Sequence, residues 1–248
     1  MTRVWEETLK GSVIEKGILK PQLEKCTRLK KAAGDFPTVA RRTIMNKILP
    51  TLLLALLTLT ACGDSFASQL RDGDIIFQTS RSAQSFAVQK ATHSKYSHMG
   101  IIFFRNGGPY VYEAIKTVQY TPFKKWVARG AGGHYVVKRL RDADRVLAPD
   151  AVAKLRQAAA KFQGKPYDLT FEWSDARIYC SELVWKIYFR ALGLRVGRLQ
   201  KLREFDLSDP LVKAKMKERY GKSIPIKETV ISPGEMFAFD GLNVVAMH

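Results

Sequence analysis

The sequence predicts an α+β domain, a small antiparallel sheet or half-barrel with an amphipathic helix packed on it. Three observations carry that reading. Apolar runs of strand length succeed one another from Ile75 to Val137, a Gly-rich turn joins two of them, and two strongly periodic helical stretches follow.

The elements follow in order. Leu70-Arg71-Asp72-Gly73-Asp74 is a turn signal, and Ile75-Ile76-Phe77 a short strand. Ser80 to Ala91 reads as a helix with Ser80 or Ser82 as its N-cap. Met99 to Phe104, the turn Arg105-Asn106-Gly107-Gly108-Pro109 and Tyr110 to Ile115 form a β-hairpin. Val118 to Thr121 is another strand, Pro122 begins a short helix, and Tyr135-Val136-Val137 is a strand after Gly132-Gly133. Residues 149–162 place Val152, Leu155, Ala159 and Phe162 on one helical face, with Gly164 beyond its end. Lys165 to Asp168 is read as a plain loop, ahead of the alternative that it shapes the substrate approach. A second helix spans Cys180 to Leu192, its buried stripe marked by Leu183, Val184, Ile187, Tyr188 and Ala191 and its stop by Gly193. Residues 194–248 are basic and weakly periodic, with one helix expected at Pro210 to Arg219.

The chain of 248 residues divides, on this reading, into an extension at 1–44, an export signal at 45–61, a tether at 62–69 and a single domain at 70–248. Residues 47–61 are an apolar run of signal-peptide length behind Arg41, Arg42 and Lys47, and Met45 is the start that puts the signal at the chain's beginning. Leu59-Thr60-Ala61-Cys62 resembles the lipobox of bacterial lipoproteins. That resemblance implies a lipid on Cys62 as the first mature residue, and a domain anchored to a membrane of the bacterial cell envelope, facing the periplasm or exterior.

Lys and Arg number 41 against 23 Asp and Glu, a surplus that favours anionic surroundings. The basic residues are scattered, with no zinc-finger spacing and no Arg-rich arm, so nucleic acid is not an expected partner. No spacing of Cys, His or acidic residues suggests a metal, and no cofactor is expected.

Of three cysteines, Cys26 falls in the extension and Cys62 in the lipobox, leaving Cys180 as the lone unmodified thiol. It sits where a loop becomes a helix, so its sulfur meets the positive end of the helix dipole, which favours thiolate. His98, at the mouth of a strand, is the expected proton shuttle, ahead of His93 and His134. Glu113, within an apolar run on the neighbouring strand, is the carboxylate expected to orient the imidazole, because an unpaired charge there is costly. Glu182 is assigned to its own helix dipole. Tyr96, Ser97, Tyr179 and Ser181 are the expected cleft-lining residues. One geometric objection stands: pairing the hairpin about Gly107 puts Glu113 opposite Ile101 and on the wrong face for His98, so a bulge or a shifted register is required.

Four segments, Gly73-Asp74-Ile75-Ile76, Tyr96-Ser97-His98-Met99-Gly100-Ile101, Tyr112-Glu113-Ala114 and Tyr179-Cys180-Ser181-Glu182-Leu183, resemble the permuted papain-like amidases of the NlpC superfamily. The histidine strand precedes the cysteine helix, as in the circularly permuted branch. The resemblance implies a papain-like fold and a Cys180, His98, Glu113 triad. It also implies cleavage of an amide in a cell-wall peptide or related isopeptide; the alternative is acyl hydrolysis or transfer on a lipid, as in lecithin:retinol acyltransferase-like proteins.

Overall fold

The structure is a computed structural model that describes residues 69–248. The extension, the export signal, Cys62 and nearly all of the tether lie outside the described residues. Among the described residues, no helix is long and apolar enough to cross a membrane.

Six strands form one antiparallel sheet in the order β4-β3-β2-β1-β5-β8. They are β1 (Ile75–Ser80), β2 (His98–Arg105), β3 (Gly108–Ala114), β4 (Val118–Pro122), β5 (Gly130–Leu140) and β8 (Leu242–Met247). The helices between them are α1 (Ala83–Thr92), α2 (Phe123–Arg129), α3 (Ala143–Val146), α4 (Pro149–Ala160), α5 (Cys180–Leu192), α6 (Pro210–Tyr220) and α7 (Pro233–Ala238). A minor ribbon pairs β6 (Gln200–Lys201) with β7 (Thr229–Val230).

Ser82 caps α1 by accepting from the Ser85 amide, so the helix starts three residues after Ser80, which remains in β1. Gly132 and Gly133, expected to precede a short strand, lie inside the eleven-residue β5. The weakly periodic tail supplies an edge strand, because β8 pairs along β5 from Leu242 to Met247.

The faces of the sheet bury different partners. Ile75, Phe77, Met99, Ile101 and Phe103 pack with α5 and α4 in the main core, whereas Ile76, Ile102 and Val111 pack with Trp126 of α2 in a second cluster. The Gly73-Asp74 segment clamps this arrangement. Asp74 is fully buried and bonded to Arg139 Nε at 2.7 Å and Nη2 at 2.8 Å, and Tyr188 of α5 donates to the Gly73 carbonyl.

The hairpin corrects the expected pairing. Its turn is the two-residue Asn106-Gly107, with φ of 50° and 77°, and Arg105 pairs Gly108. Both central residues lie in the left-handed region, as in the I′ turn that matches strand twist. Ile101 therefore faces Tyr112 rather than Glu113. Continued one step, the ladder puts Glu113 across from Gly100 and on the same face as His98, with no bulge between β2 and β3. Gly100 is suited to that place, since a Cβ there would lie 2.5 Å from Val111 Cγ1 and 2.6 Å from the Tyr112 carbonyl oxygen.

Two glycine substitutions should therefore differ in kind. Gly107 has open space around its Cβ position, so Gly107→Ala carries only the left-handed backbone penalty. That is about 1 kcal/mol, lowering the thermal midpoint by roughly 2–4 °C. Gly100→Ala must push the strands apart and is expected to cost more, about 1–3 kcal/mol, with loss of activity. Calorimetry of the two variants checks the order.

Candidate active site

His98 is the first residue of β2 and stands at the end of the sheet, where a side chain can reach groups beyond the strand. Its Nε2 lies 2.6 Å from Glu113 Oε2, its ring stacks on Trp126 at 5.9 Å between centroids, and Cys180 lies near enough to raise its basicity. With Nε2 given to Glu113, Nδ1 is the nitrogen left for the sulfur. Cys180, His98 and Glu113 are thus brought together in the order the sequence suggested, and all three are buried.

Glu113 comes from the middle of β3 and is completely buried. Thr121 on β4 and Arg129 at the end of α2 each donate to its Oε1 at 2.5 Å. Burial pushes the Glu113 carboxyl up, but His98, Thr121 and Arg129 together hold it below the usual carboxylate value. Neither Thr121 nor Arg129 was expected from the sequence. Strand alternation from Gln119, which faces Glu113, would have pointed to Thr121; Arg129 reaches the site from a helix and left no local signal.

Burial favours a neutral His98 ring, yet the hydrogen bonds to Cys180 and Glu113 and their negative charge outweigh it, raising the imidazole from 6.5 to about 9. The site is arranged for an imidazolium held against the Glu113 carboxylate and beside Cys180.

Cys180 is the first residue of α5, and the chain on either side of it is anchored. Ile178 bridges Tyr167, Glu182 Oε2 accepts from the Tyr179 amide at 3.4 Å, and Gly193 closes the far end of the helix at φ 69°. Glu182 also pairs with Lys186 at 2.7 Å, a structural role consistent with its place in the first turn. Tyr179 Oη accepts from the Ile231 amide and Ser181 Oγ donates to the Ile231 carbonyl, so both neighbours of the cysteine grip the C-terminal segment.

The four expected lining residues divide. Ser97, Tyr179 and Ser181 do line the cavity at Cys180. Tyr96 does not; it stacks on Phe237 at 3.9 Å in the core, and the expectation that it faces the cleft is corrected because its ring completes an aromatic cluster with Phe77. His93 and His134 are placed elsewhere, His93 beside Asp206 at 3.5 Å and His134 with Nδ1 3.1 Å from the His248 carbonyl.

Cys180 borders a cavity of about 60 Å³ between α1 and α6, with Ala87, Val88, Leu202, Phe205, Val212 and Met216 in its walls. On the His98 side lies an open, more polar groove with Ser80, Lys116 and Leu169. Gln84, Ser97 and Tyr167 line both spaces, and Gln84 Nε2 donates to Tyr167 Oη at 2.8 Å. Burial and the negative charge on nearby Cys180 both push the Tyr167 phenol up, so this loop residue, read from the sequence as plain connection, belongs to the site.

A buried thiol, imidazole and carboxylate on an antiparallel sheet, with the histidine strand before the cysteine helix, define the permuted papain-like class. The chain belongs to the family described as "Permuted papain-like amidase enzyme, YaeF/YiiX, C92 family", whose profile matches residues 69–245. It is 54% identical over 193 residues to an uncharacterized protein, YiiX of Escherichia coli (strain K12), covering 78% of this chain and 94% of that protein. It is also similar to a crystal structure titled as metalloprotein yiiX from Escherichia coli O157:H7. That match has a TM-score of 0.70 and 56% identity, covering 73% of this chain and 98% of the other. Among the described residues of the present chain, no group of three or more His, Cys, Asp or Glu is arranged to hold a metal ion.

The raised imidazole makes stability depend on pH in a stated direction. The folded ring keeps its proton to about 9 and the unfolded ring only to about 6.5. The pairing therefore stabilises the fold fully below pH 6.5, progressively less above it, and not at all beyond about 9. In urea titrations, the gap in midpoint between the unaltered chain and His98→Gln should be widest below pH 6.5 and close through 9.

Proposed function

We propose that this protein is a thiol-dependent hydrolase that cleaves an amide bond through Cys180, His98 and Glu113. The observation that carries the reading is the single imidazole shared between Cys180 and Glu113. The Cys180 sulfur attacks the carbonyl carbon, forming a C–S bond, and the first amides of α5, which have no intrahelical partner, face the developing oxyanion. The C–N bond breaks as His98 gives its proton to the leaving amine. Water then attacks the thioester while His98 takes a proton from it, releasing the acid and the free thiol. Glu113, kept ionised by Arg129 and Thr121, holds the ring in one orientation and stabilises its cationic form.

For an exported domain, tethered through a lipid on Cys62 in the bacterial cell envelope, a cell-wall peptide or related isopeptide is the substrate that suits location and family. The alternative, an acyl bond in a lipid, is favoured by one specific observation, the apolar cavity against Cys180.

Incubation of the full chain with wall-peptide fragments and with phospholipid vesicles, followed by mass spectrometry, tests the reading. Cys180→Ala should abolish product formation in whichever arm is active, and His98→Ala should slow it about 10²–10⁴-fold. Glu113→Gln should lower kcat by less than His98→Ala does. Product formation that persists undiminished in Cys180→Ala would overturn the proposal.

A further inference from the structure

We infer that the exposed side of α6, together with residues 221–227 beyond it, docks the domain on a lipid surface that carries anionic headgroups. The inference is independent of the chemistry at Cys180.

Charge is concentrated on this part of the chain. Residues 210–227 hold six Lys and Arg against one acid, Glu218. Lys215 pairs with that acid at 2.5 Å, and Arg219 lies over the Phe171 ring at 4.8 Å. Lys213, Lys217 and Lys222 are exposed, and among the described residues no ion pair or side-chain hydrogen bond engages them. Lys213 and Lys217 are four residues apart and so share one side of the helix. The acids nearby are already engaged. Asp209 caps α6 at the Leu211 amide, and Asp206 is held down first by its bonds from Ser208 and only then by the charges of His93 and Lys213. A surface left with unpaired cations favours an anionic partner.

The three lysines line one groove with Leu207, Met216 and Ile224. Ile224 is 37% and Ile226 46% exposed, yet their backbone is fixed. The Ile226 amide donates to the Ile224 carbonyl at 2.9 Å, and the Arg203 amide donates to the Ile226 carbonyl at 3.0 Å. Branched aliphatics held in water beside ammonium groups form an amphipathic surface, whose hydrocarbon enters the acyl boundary while the lysines stay at the headgroups. Lysine is a compact, hydrated charge without the fork that fixes a single carboxylate, which suits a fluid layer of headgroups better than one acidic peptide.

Docking there also positions the candidate active site. Tyr220 Oη donates to the Thr170 carbonyl, and Arg219 lies over Phe171, so the end of α6 is tied to the loop that follows Tyr167. Tyr167 and the exposed Leu169 of that loop line the groove beside His98. A surface that holds α6 therefore holds the rim of this groove close to itself.

Ile224→Trp places a fluorescent reporter on the face, and Val244→Trp, on β8, is a control in a different element. The full chain of each is mixed with vesicles of phosphatidylcholine alone, or with about one-third phosphatidylglycerol, both with brominated acyl chains. Quenching by bromine is local, so attachment through residues 1–62, common to every variant, does not produce it. Relative to the unaltered chain, Ile224→Trp should gain emission that is blue-shifted and quenched on the anionic vesicles at about 0.1 M salt. That quenching should be lost at about 1 M, where the screening length falls from about 10 to 3 Å. Val244→Trp should gain no quenched emission. Adding Lys217→Glu and Lys222→Glu to Ile224→Trp should raise the lipid concentration needed by more than about 25-fold, about fivefold for each cation removed. Ile226→Trp takes the place of Ile224→Trp should that variant fold poorly. Absence of quenching on the anionic vesicles, or equal quenching on phosphatidylcholine alone, overturns the inference. Emission that shifts with polyglutamate but not with vesicles assigns the face to an acidic polypeptide and overturns it as well.

Discussion

A carboxylate with no exposure to water sits in the middle of β3, and the site is organised around keeping it ionised. Removing such a charge from water costs several kcal/mol unless it is paired and hydrogen bonded. Glu113 receives three donors from three different elements, His98 from the end of β2, Thr121 from β4 and Arg129 from the end of α2. Those bonds hold the three elements to one another at the His98 end of the sheet. The same carboxylate then keeps its charge against the His98 ring, which in turn retains a proton beside Cys180.

The opposite face of the sheet carries the other half of the requirement. The nucleophile is placed by packing: α5 lies on the main core formed by Met99, Ile101 and Phe103, and Tyr188 ties it to Gly73 at the start of β1. The histidine and carboxylate belong by strand alternation to the Trp126 face, while the cysteine belongs to the helix face. They meet only because His98 is the terminal residue of its strand, at the edge where the two faces come together. A side chain two residues further into β2, at Gly100, would instead run into Val111 and the Tyr112 carbonyl.

The C-terminal segment, which carried the least sequence signal, does more than close the sheet. Ile231 bonds the residues on both sides of Cys180, and α6, packed on α1, provides an apolar wall of the space beside the sulfur. Weak periodicity in this region has a physical cause. A helix such as α6 that covers a cavity with only Val212 and Met216 buried has too narrow an apolar stripe to announce itself.

Residue chemistry and local propensity were enough, from the sequence alone, to establish the strand and helix types, the start of the Cys180 helix and the candidacy of Cys180, His98 and Glu113. A buried acid in an apolar run and a thiol at a helix start are unusual locally, so they are visible without coordinates. Tertiary structure decided what depends on a single residue of register or on distant partners. A two-residue turn at Asn106-Gly107, instead of pairing centred on Gly107, brought Glu113 onto the face of His98, because side chains alternate with a period of two and a one-residue slip reverses every face. Arg129, Trp126, Tyr167 and the apolar cavity were likewise settled only by packing, since long-range contacts leave no periodicity in the chain. The elements named in advance therefore stand, while the place of Tyr96 in the core and the partners that keep Glu113 charged were determined by how those elements fold together.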